Sequence, residues 1–105
     1  MGLDCGFMEG KAYDSDDISW WRRREDVVNY VGDATGVGSI GNGQVVPVTI
    51  EQVLVLRDKL TTSYLSKEYD VEEAKDYQID MKDVADVVIW FTITKKKYVY
   101  FYADW

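Results

Sequence analysis

Residues 87–102 read VVIWFTITKKKYVYFY and carry the clearest β signal in the chain. Apolar side chains recur at every second position on both sides of a run of three lysines, which is typical of two strands joined by a turn. If the lysines form the loop, Ile93 lies opposite Val99 and Phe91 lies opposite Phe101, on a buried face. The pattern therefore predicts a C-terminal β-hairpin.

The other face of this predicted hairpin is rich in aromatic rings. Three residues of its first strand lie opposite three tyrosines of its second, so that Trp90, Thr92 and Thr94 face Tyr102, Tyr100 and Tyr98. Tyrosine and tryptophan bury large areas while keeping a polar tip, and both are enriched at binding hot spots. The face is a candidate binding surface if it is exposed, and part of the core if helices cover both sides of the sheet.

Upstream of this stretch, the clearest helix signal begins at Thr49. Thr49 and Gln52 have the spacing of a capping box, in which each side chain accepts a hydrogen bond from the backbone N–H of the other residue. An apolar stripe follows with steps of three and four residues, formed by Val53, Leu56, Leu60 and Tyr64. The acidic residues Asp70 and Glu73 predict the start of a shorter helix that ends near residue 80.

The N-terminal part predicts one strand and one helix. Leu3, Cys5 and Phe7 share one face of a short strand that ends at the turn residue Gly10. The acidic run 14–17 is typical of a helix start. Near-helical spacing follows in Ile18, Trp21, Val28 and Val31, and predicts a first helix that ends near Gly32.

The segment between the first two predicted helices is rich in glycine. Five glycines between residues 32 and 43 indicate a flexible connection. Residues 36–41 match G-x-G-x-x-G, but a dinucleotide site requires a strand before this motif and a helix opening after it. Pro47 makes the following valine-rich piece an edge strand or no strand. We therefore expect no phosphate site here.

Together these elements predict an α+β fold in a single domain, residues 1–105. A small antiparallel sheet that includes the C-terminal hairpin packs against two or three helices.

Composition limits the function. The 105 residues contain 12 basic and 19 acidic side chains, a net charge of −7, one cysteine and no histidine. This charge repels nucleic acids and anionic membranes, and it favours basic protein partners. No apolar run approaches the roughly 20 residues that span a bilayer, and the lone thiol, Cys5, fits a reducing cytoplasm. We expect no metal, no cofactor and no nucleophilic catalysis.

The acidic stretch 68–86 is the second candidate surface. If it is helical, Glu72, Asp76, Asp80 and Asp83 form one stripe. Steps of four residues advance about 6 Å along a helix, which is close to the phosphate spacing of a nucleic acid strand. Such a stripe could occupy a phosphate-binding groove, although a charged run is more often a solvated helix face.

Three short motifs resemble those of a known group of proteins. The start Met1-Gly2-Leu3-Asp4, the segment Ile18-Ser19-Trp20-Trp21-Arg22-Arg23 and the tyrosine-rich end that closes on Trp105 resemble a group of small phage and prophage proteins. The resemblance covers residues 1–31 and 98–105, and the glycine loop and the acidic stretch depart from it. It implies an accessory role, and small acidic phage proteins of this character include anti-CRISPR proteins.

The sequence thus predicts a non-enzymatic phage accessory protein that acts in the host bacterial cytoplasm. It would bind a basic host effector such as a Cas nuclease and inhibit it. The partner-binding residues would be the four acids of the stripe, Trp90, Tyr98, Tyr100 and Tyr102. The alternatives are a small carboxylate-dependent hydrolase, for which no single acidic pair stands out, and a structural homo-oligomer that buries its tyrosine face.

Overall fold

The computed structural model describes residues 4–10, 16–22, 24–65 and 71–104, with the side chains of 71–74 excepted. Within these ranges the chain forms four strands and three helices. The order along the chain is β1 (Asp4–Met8), β2 (Asp17–Arg22), α1 (Glu25–Thr35), β3 (Val45–Val48), α2 (Ile50–Leu65), α3 (Val71–Thr94) and β4 (Val99–Asp104). The predicted α+β class, with a small antiparallel sheet packed on helices, is confirmed.

The sheet has the strand order β2-β1-β4-β3, and every neighbouring pair is antiparallel. The last strand of the chain therefore lies inside the sheet, between the first strand and β3. Phe101 is paired with Phe7 on one side and Val46 on the other. β3 is an edge strand, as Pro47 predicts, because a proline lacks the N–H that an inner strand needs.

All three helices contribute to a core on one face of the sheet. Alternate residues of the strands point into it: Cys5, Phe7, Trp21, Val46, Val48, Val99, Phe101 and Ala103. The helices add Val27, Val28, Val31, Val53, Leu56, Leu60, Val84, Val87 and Phe91. Phe7 packs edge-to-face against Phe101 and Trp21, with ring centroids 5.3 and 5.9 Å apart.

The start of α2 confirms the predicted capping box. The backbone N–H of Thr49 donates to Gln52 Oε1 at 2.9 Å, and the backbone N–H of Gln52 donates to Thr49 Oγ1 at 3.3 Å. In the stripe that follows, Val53, Leu56 and Leu60 are buried and Tyr64 is half-buried. The helix thus begins and packs as its sequence predicts.

The predicted C-terminal hairpin is wrong. Residues 87–94 continue α3, and β4 pairs with β1 and β3 instead. Val99 is paired with Val48, whereas Ile93 is 75% exposed on the helix. Trp90, Thr92 and Thr94 therefore do not lie opposite the tyrosines of β4.

The first predicted helix is also displaced. Residues 17–22 form β2, and α1 begins only at Glu25. The strand alternates because Ser19 and Trp21 face the core while Trp20 faces away from it. Of the acidic run 14–17, predicted as a helix start, Asp16 directly precedes β2 and Asp17 begins it, so no helix starts there. Residues 14 and 15 and the predicted start of the third helix at Asp70 lie outside the described residues.

The glycine-rich connection lies against its neighbours. Gly36 ends α1 in the left-handed conformation, with φ 77°. The backbone N–H of Gly38 then donates to Gly32 O at 3.1 Å, and that of Gly43 donates to Ala103 O at 2.8 Å. These bonds tie the loop to α1 and to β4.

Candidate functional site

The face of the sheet opposite the helices carries a second set of large side chains. We call it the outer face and define it by Met8, Trp20, Val45, Pro47, Tyr100 and Tyr102. None of these belongs to the hydrophobic core shared with the helices. Met8 is buried, Trp20, Tyr100 and Tyr102 are half-buried, and Pro47 is exposed. Helices therefore cover one side of the sheet, and aromatic side chains line the other.

The strand register brings these side chains together. Gly6, in the central strand β1, is paired with Trp20 of β2 and with Tyr102 of β4. A Cβ atom on Gly6 would collide with the Trp20 ring and with the Ser19 carbonyl oxygen. Because glycine leaves this space, the rings of Trp20 and Tyr102 stack with centroids 6.5 Å apart and an interplanar angle of 25°.

A groove of about 470 Å³ runs beside this ring pair. Its lining consists of Met8, Asp17, Trp20, Gly43, Val45, Tyr102 and Asp104. The register shift between Phe7 and Met8 passes over Ile18 and pairs Met8 with Asp17. The carboxylates of Asp17 and Asp104 are both exposed, so the apolar groove has an acidic rim.

Two of the predicted site residues belong to the outer face. Tyr100 and Tyr102 lie on the outer face, and Tyr98 precedes β4 and is 46% exposed. Trp90 lies elsewhere, on α3. Its indole N–H donates to Glu9 Oε1 at 3.1 Å, and the Lys96 ammonium lies 5.9 Å from its ring centroid.

The predicted acidic stripe is helical, but its members differ in exposure. Asp76 is exposed, Asp83 is half-buried and Asp80 is buried, with 7% exposure. The side chain of Glu72 lies outside the described residues. The four acids therefore do not form one uniformly exposed row.

Asp80 instead belongs to an internal network with Arg24, the residue that joins β2 to α1. Arg24 Nη1 and Nη2 donate to Asp80 Oδ1 and Oδ2, both at 2.8 Å. The indole N–H of Trp21 also donates to Asp80 Oδ1, at 3.2 Å. On the other side of the guanidinium, Nε and Nη2 donate to Asp26 at 2.9 and 3.0 Å.

The network and its surroundings shift several pKa values. Burial disfavours the charged form of Asp26, but the hydrogen bonds and positive charge of Arg24 outweigh it and lower the pKa of Asp26. Burial raises the pKa of Asp83. Burial also raises the pKa of the Cys5 thiol to about 12, so the thiol is protonated at neutral pH.

A smaller pocket, about 260 Å³, lies between this network and α2. It contains three carboxylates, from Asp26, Asp76 and Asp80. Two of them hold Arg24, so among the described lining residues only Asp76 is a carboxylate not bound to that guanidinium. A carboxylate-dependent hydrolase needs two converging acids with different protonation states, and two of these three carboxylates are held in ion pairs with Arg24.

In the part of the chain that the structure describes, no group of three or more histidine, cysteine or acidic side chains is placed to hold a metal ion. Within the same ranges, no helix combines the length and apolarity needed to cross a bilayer.

Comparisons with known proteins add no family. No family model, curated protein or solved structure matches the chain.

Sequence reasoning missed the groove residues Met8, Asp17, Trp20, Val45 and Asp104. For Asp17 and Trp20, the signal is the alternation in residues 17–22, which follows a strand and a turn-rich segment and is typical of the second strand of a hairpin. Asp80 also carried a signal. It precedes the buried residues Val84 and Val87 by four and seven positions, which places it on the core side of α3.

Proposed function

We propose that the protein is a non-enzymatic binding protein that recognises a basic surface of another protein through its outer face. The observation that carries this proposal is the Trp20–Tyr102 ring pair on a side of the sheet where no described helix packs. Aromatic side chains dominate binding hot spots because they bury large area at low entropic cost.

Charge supports a basic partner. The chain carries a net charge of −7, and the groove beside the ring pair has two exposed carboxylates at its rim. Complementary charge speeds association and disfavours acidic competitors. Asp76 and Asp83 on α3 add negative charge that a partner can reach, whereas Asp80 is bound to Arg24 inside the protein.

In its specific form, the proposal is a phage accessory protein in the host cytoplasm that inhibits a nucleic-acid-handling effector, such as a Cas nuclease. The resemblance of the two chain ends to small phage proteins supports this form. Nucleases that bind guide RNA and target DNA contain long basic channels, which match an acidic, aromatic ligand in charge.

The test is inhibition of DNA cleavage by a panel of purified Cas nuclease–guide complexes, with direct binding measured in parallel. We expect one nuclease to bind the protein and lose activity, and Tyr100→Ser/Tyr102→Ser to abolish both effects. Ile93→Ala changes an exposed apolar side chain of α3 and serves as the control for the aromatic change.

A second pair of variants tests the role of charge. Asp76→Lys/Asp83→Lys should weaken binding, whereas Glu51→Lys/Asp58→Lys changes the net charge equally on α2 and should have a smaller effect. Equal weakening by both pairs would show a general charge effect without a defined surface. The absence of binding and inhibition across the panel would overturn the inhibitor role, and turnover of a small compound would overturn the non-enzymatic assignment.

A further inference from the structure

We propose that the groove on the outer face binds an arginine side chain of the partner. This inference rests on the proposed function and names the chemical group that the surface recognises. Three properties of the groove lead to it, namely its aromatic wall, its acidic rim and its size.

The aromatic wall is formed by Trp20 and Tyr102, whose rings lie at 25° to each other. A guanidinium group is planar and weakly hydrated, so it stacks on aromatic faces and gains a cation–π interaction. Tryptophan provides the strongest attraction of the aromatic side chains. An ammonium group of lysine is more strongly hydrated and stacks less well.

The acidic rim selects a cation. Asp17 and Asp104 line the groove, and no basic side chain is among its described lining residues. Further along the same face, the strand register places Asp4 of β1 opposite Arg22 of β2 and opposite Asp104 of β4. The described charged groups of the face are thus three acids and one arginine, so the face is negative overall. Each carboxylate can accept two parallel hydrogen bonds from a guanidinium.

The size suits a side chain together with the peptide that carries it. The groove volume of about 470 Å³ falls within the range of about 300–1,000 Å³ found for ligand sites. An apolar side chain would leave the rim carboxylates without a counter-charge, and a phosphate would be repelled by them. The arginine of a basic protein satisfies the rings and the carboxylates at once.

The experiment follows the NMR signals of the full ¹⁵N-labelled chain during titration with N-acetyl-arginine amide. The indole signal of Trp20 is assigned by its loss in Trp20→Phe. We expect the Trp20 indole and the backbone signals of Asp17 and Tyr102 to shift. N-acetyl-lysine amide should bind more weakly, and N-acetyl-citrulline amide, which has the same shape without the charge, should cause no shift.

Variants test which side chains bind the arginine amide. Asp17→Asn/Asp104→Asn should weaken arginine amide binding on the order of tenfold, since charge-assisted hydrogen bonds are lost. Asp58→Asn, on α2, should leave the affinity unchanged. Equal shifts with the citrulline and arginine probes, or shifts confined to other surfaces, would overturn the proposal. So would shifts of the same residues on dilution without any probe, because a second copy of the chain would then occupy the groove.

The two proposals can fail separately. If arginine amide does not bind but nuclease inhibition still depends on Tyr102, the binding function stands and the arginine assignment is wrong. If arginine amide binds as expected but no nuclease is inhibited, the arginine assignment stands and the inhibitor role is wrong.

Discussion

The guanidinium of Arg24 and the carboxylate of Asp80 form a two-pronged ion pair, with Nη1–Oδ1 and Nη2–Oδ2 distances of 2.8 Å. Arg24 joins β2 to α1, and Asp80 lies in the middle of α3, 56 residues later in the sequence. The indole N–H of Trp21, a core residue, donates a hydrogen bond to the same carboxylate. The pair therefore fixes the position of α3 on the sheet, and it removes Asp80 from the acidic surface.

Loss of this pair should destabilise the protein. Asp80→Asn leaves the Arg24 charge with Asp26 alone, and we expect the free energy of unfolding to fall by about 3 kcal/mol. This figure is at the lower end for a broken buried pair because the Arg24 side chain is 26% exposed. Urea denaturation measures this change in the free energy of unfolding. Asp76→Asn, on the same helix but exposed, should change stability by less than about 0.5 kcal/mol, and equal losses in both variants would contradict the structural role.

The same pair shows where sequence reasoning failed at the site. Four acids at helical spacing predict a stripe, but the pattern alone does not say which side of the helix faces water. The spacing of Asp80 to Val84 and Val87 does place it on the core side of α3. Its partner, Arg24, comes from a distant element, and the identity of such a partner leaves no local signal. Strand alternation is a local property, so the sequence predicts that Tyr100 and Tyr102 share one face of a strand, whereas it predicts a helix at Trp20.

The wrong strand prediction for residues 87–94 has a related cause. Its valine, isoleucine and threonine residues favour strands, and its apolar positions fit both periods. In the structure, Val84, Val87 and Phe91 bury one helical stripe, while Ile89 and Ile93 remain more than half exposed. Packing of that stripe against the sheet outweighs the intrinsic preference, since strand propensity spans only about 1 kcal/mol per residue. By contrast, the capping box at Thr49 depends on local geometry and is confirmed. Pro47 lies in an edge strand, which is one of the two outcomes that its missing N–H allowed.

The ionised carboxylate of Asp83 should lower the free energy of unfolding at neutral pH. Burial raises its pKa above the ordinary value of 3.8; Lys82 opposes this shift, and the charges of Asp80 and Asp86 add to it. The folded state then binds the proton more tightly than the unfolded state, so this contribution to stability falls as the pH rises from 3.8 through the raised value. Because this carboxylate is only partly buried, solvent screens the effect, and Asp83→Asn should stabilise the protein at neutral pH by no more than about 0.5 kcal/mol.

Urea denaturation of this variant and the parent at two pH values checks the sign. The difference should be present at neutral pH and should shrink below pH 3.8, where both states hold the proton. Asp58→Asn is the control, since its side chain is 77% exposed. A variant less stable than the parent at neutral pH would show that the Asp83 carboxylate makes a net favourable interaction.

Gly32 should not tolerate alanine, although it lies within a helix. Alanine normally stabilises a helix by about 1 kcal/mol relative to glycine. Here a Cβ atom would collide with the carbonyl oxygen of Gly38, where the loop folds back onto α1. We expect Gly32→Ala to lose about 1–3 kcal/mol, the usual cost of forcing atoms into a packed site.

Thermal unfolding of Gly32→Ala and Gly41→Ala makes the comparison. An added Cβ at Gly41 would meet only Gln44 Oε1 at 3.6 Å, an ordinary contact. The Gly41 variant should therefore unfold near the parent temperature while the Gly32 variant unfolds earlier. A stabilised Gly32→Ala would mean that the loop does not lie against the helix in solution.

Cys5 should react with thiol reagents only when the protein opens. Its side chain is fully buried, its Sγ lies 3.8 Å from the Arg24 carbonyl oxygen, and burial raises its pKa to about 12. Because the thiolate is the reactive form, the native thiol combines low accessibility with a very small ionised fraction. We expect a chromogenic disulfide reagent to label the native protein far more slowly than the urea-unfolded chain.

The Cys5 thiol of Asp80→Asn should be labelled faster than that of the parent, in proportion to the lower stability of the variant, because reaction through transient opening follows the population of the open state. Native labelling as fast as that of the unfolded chain would place Cys5 at an accessible surface and contradict the core described for β1.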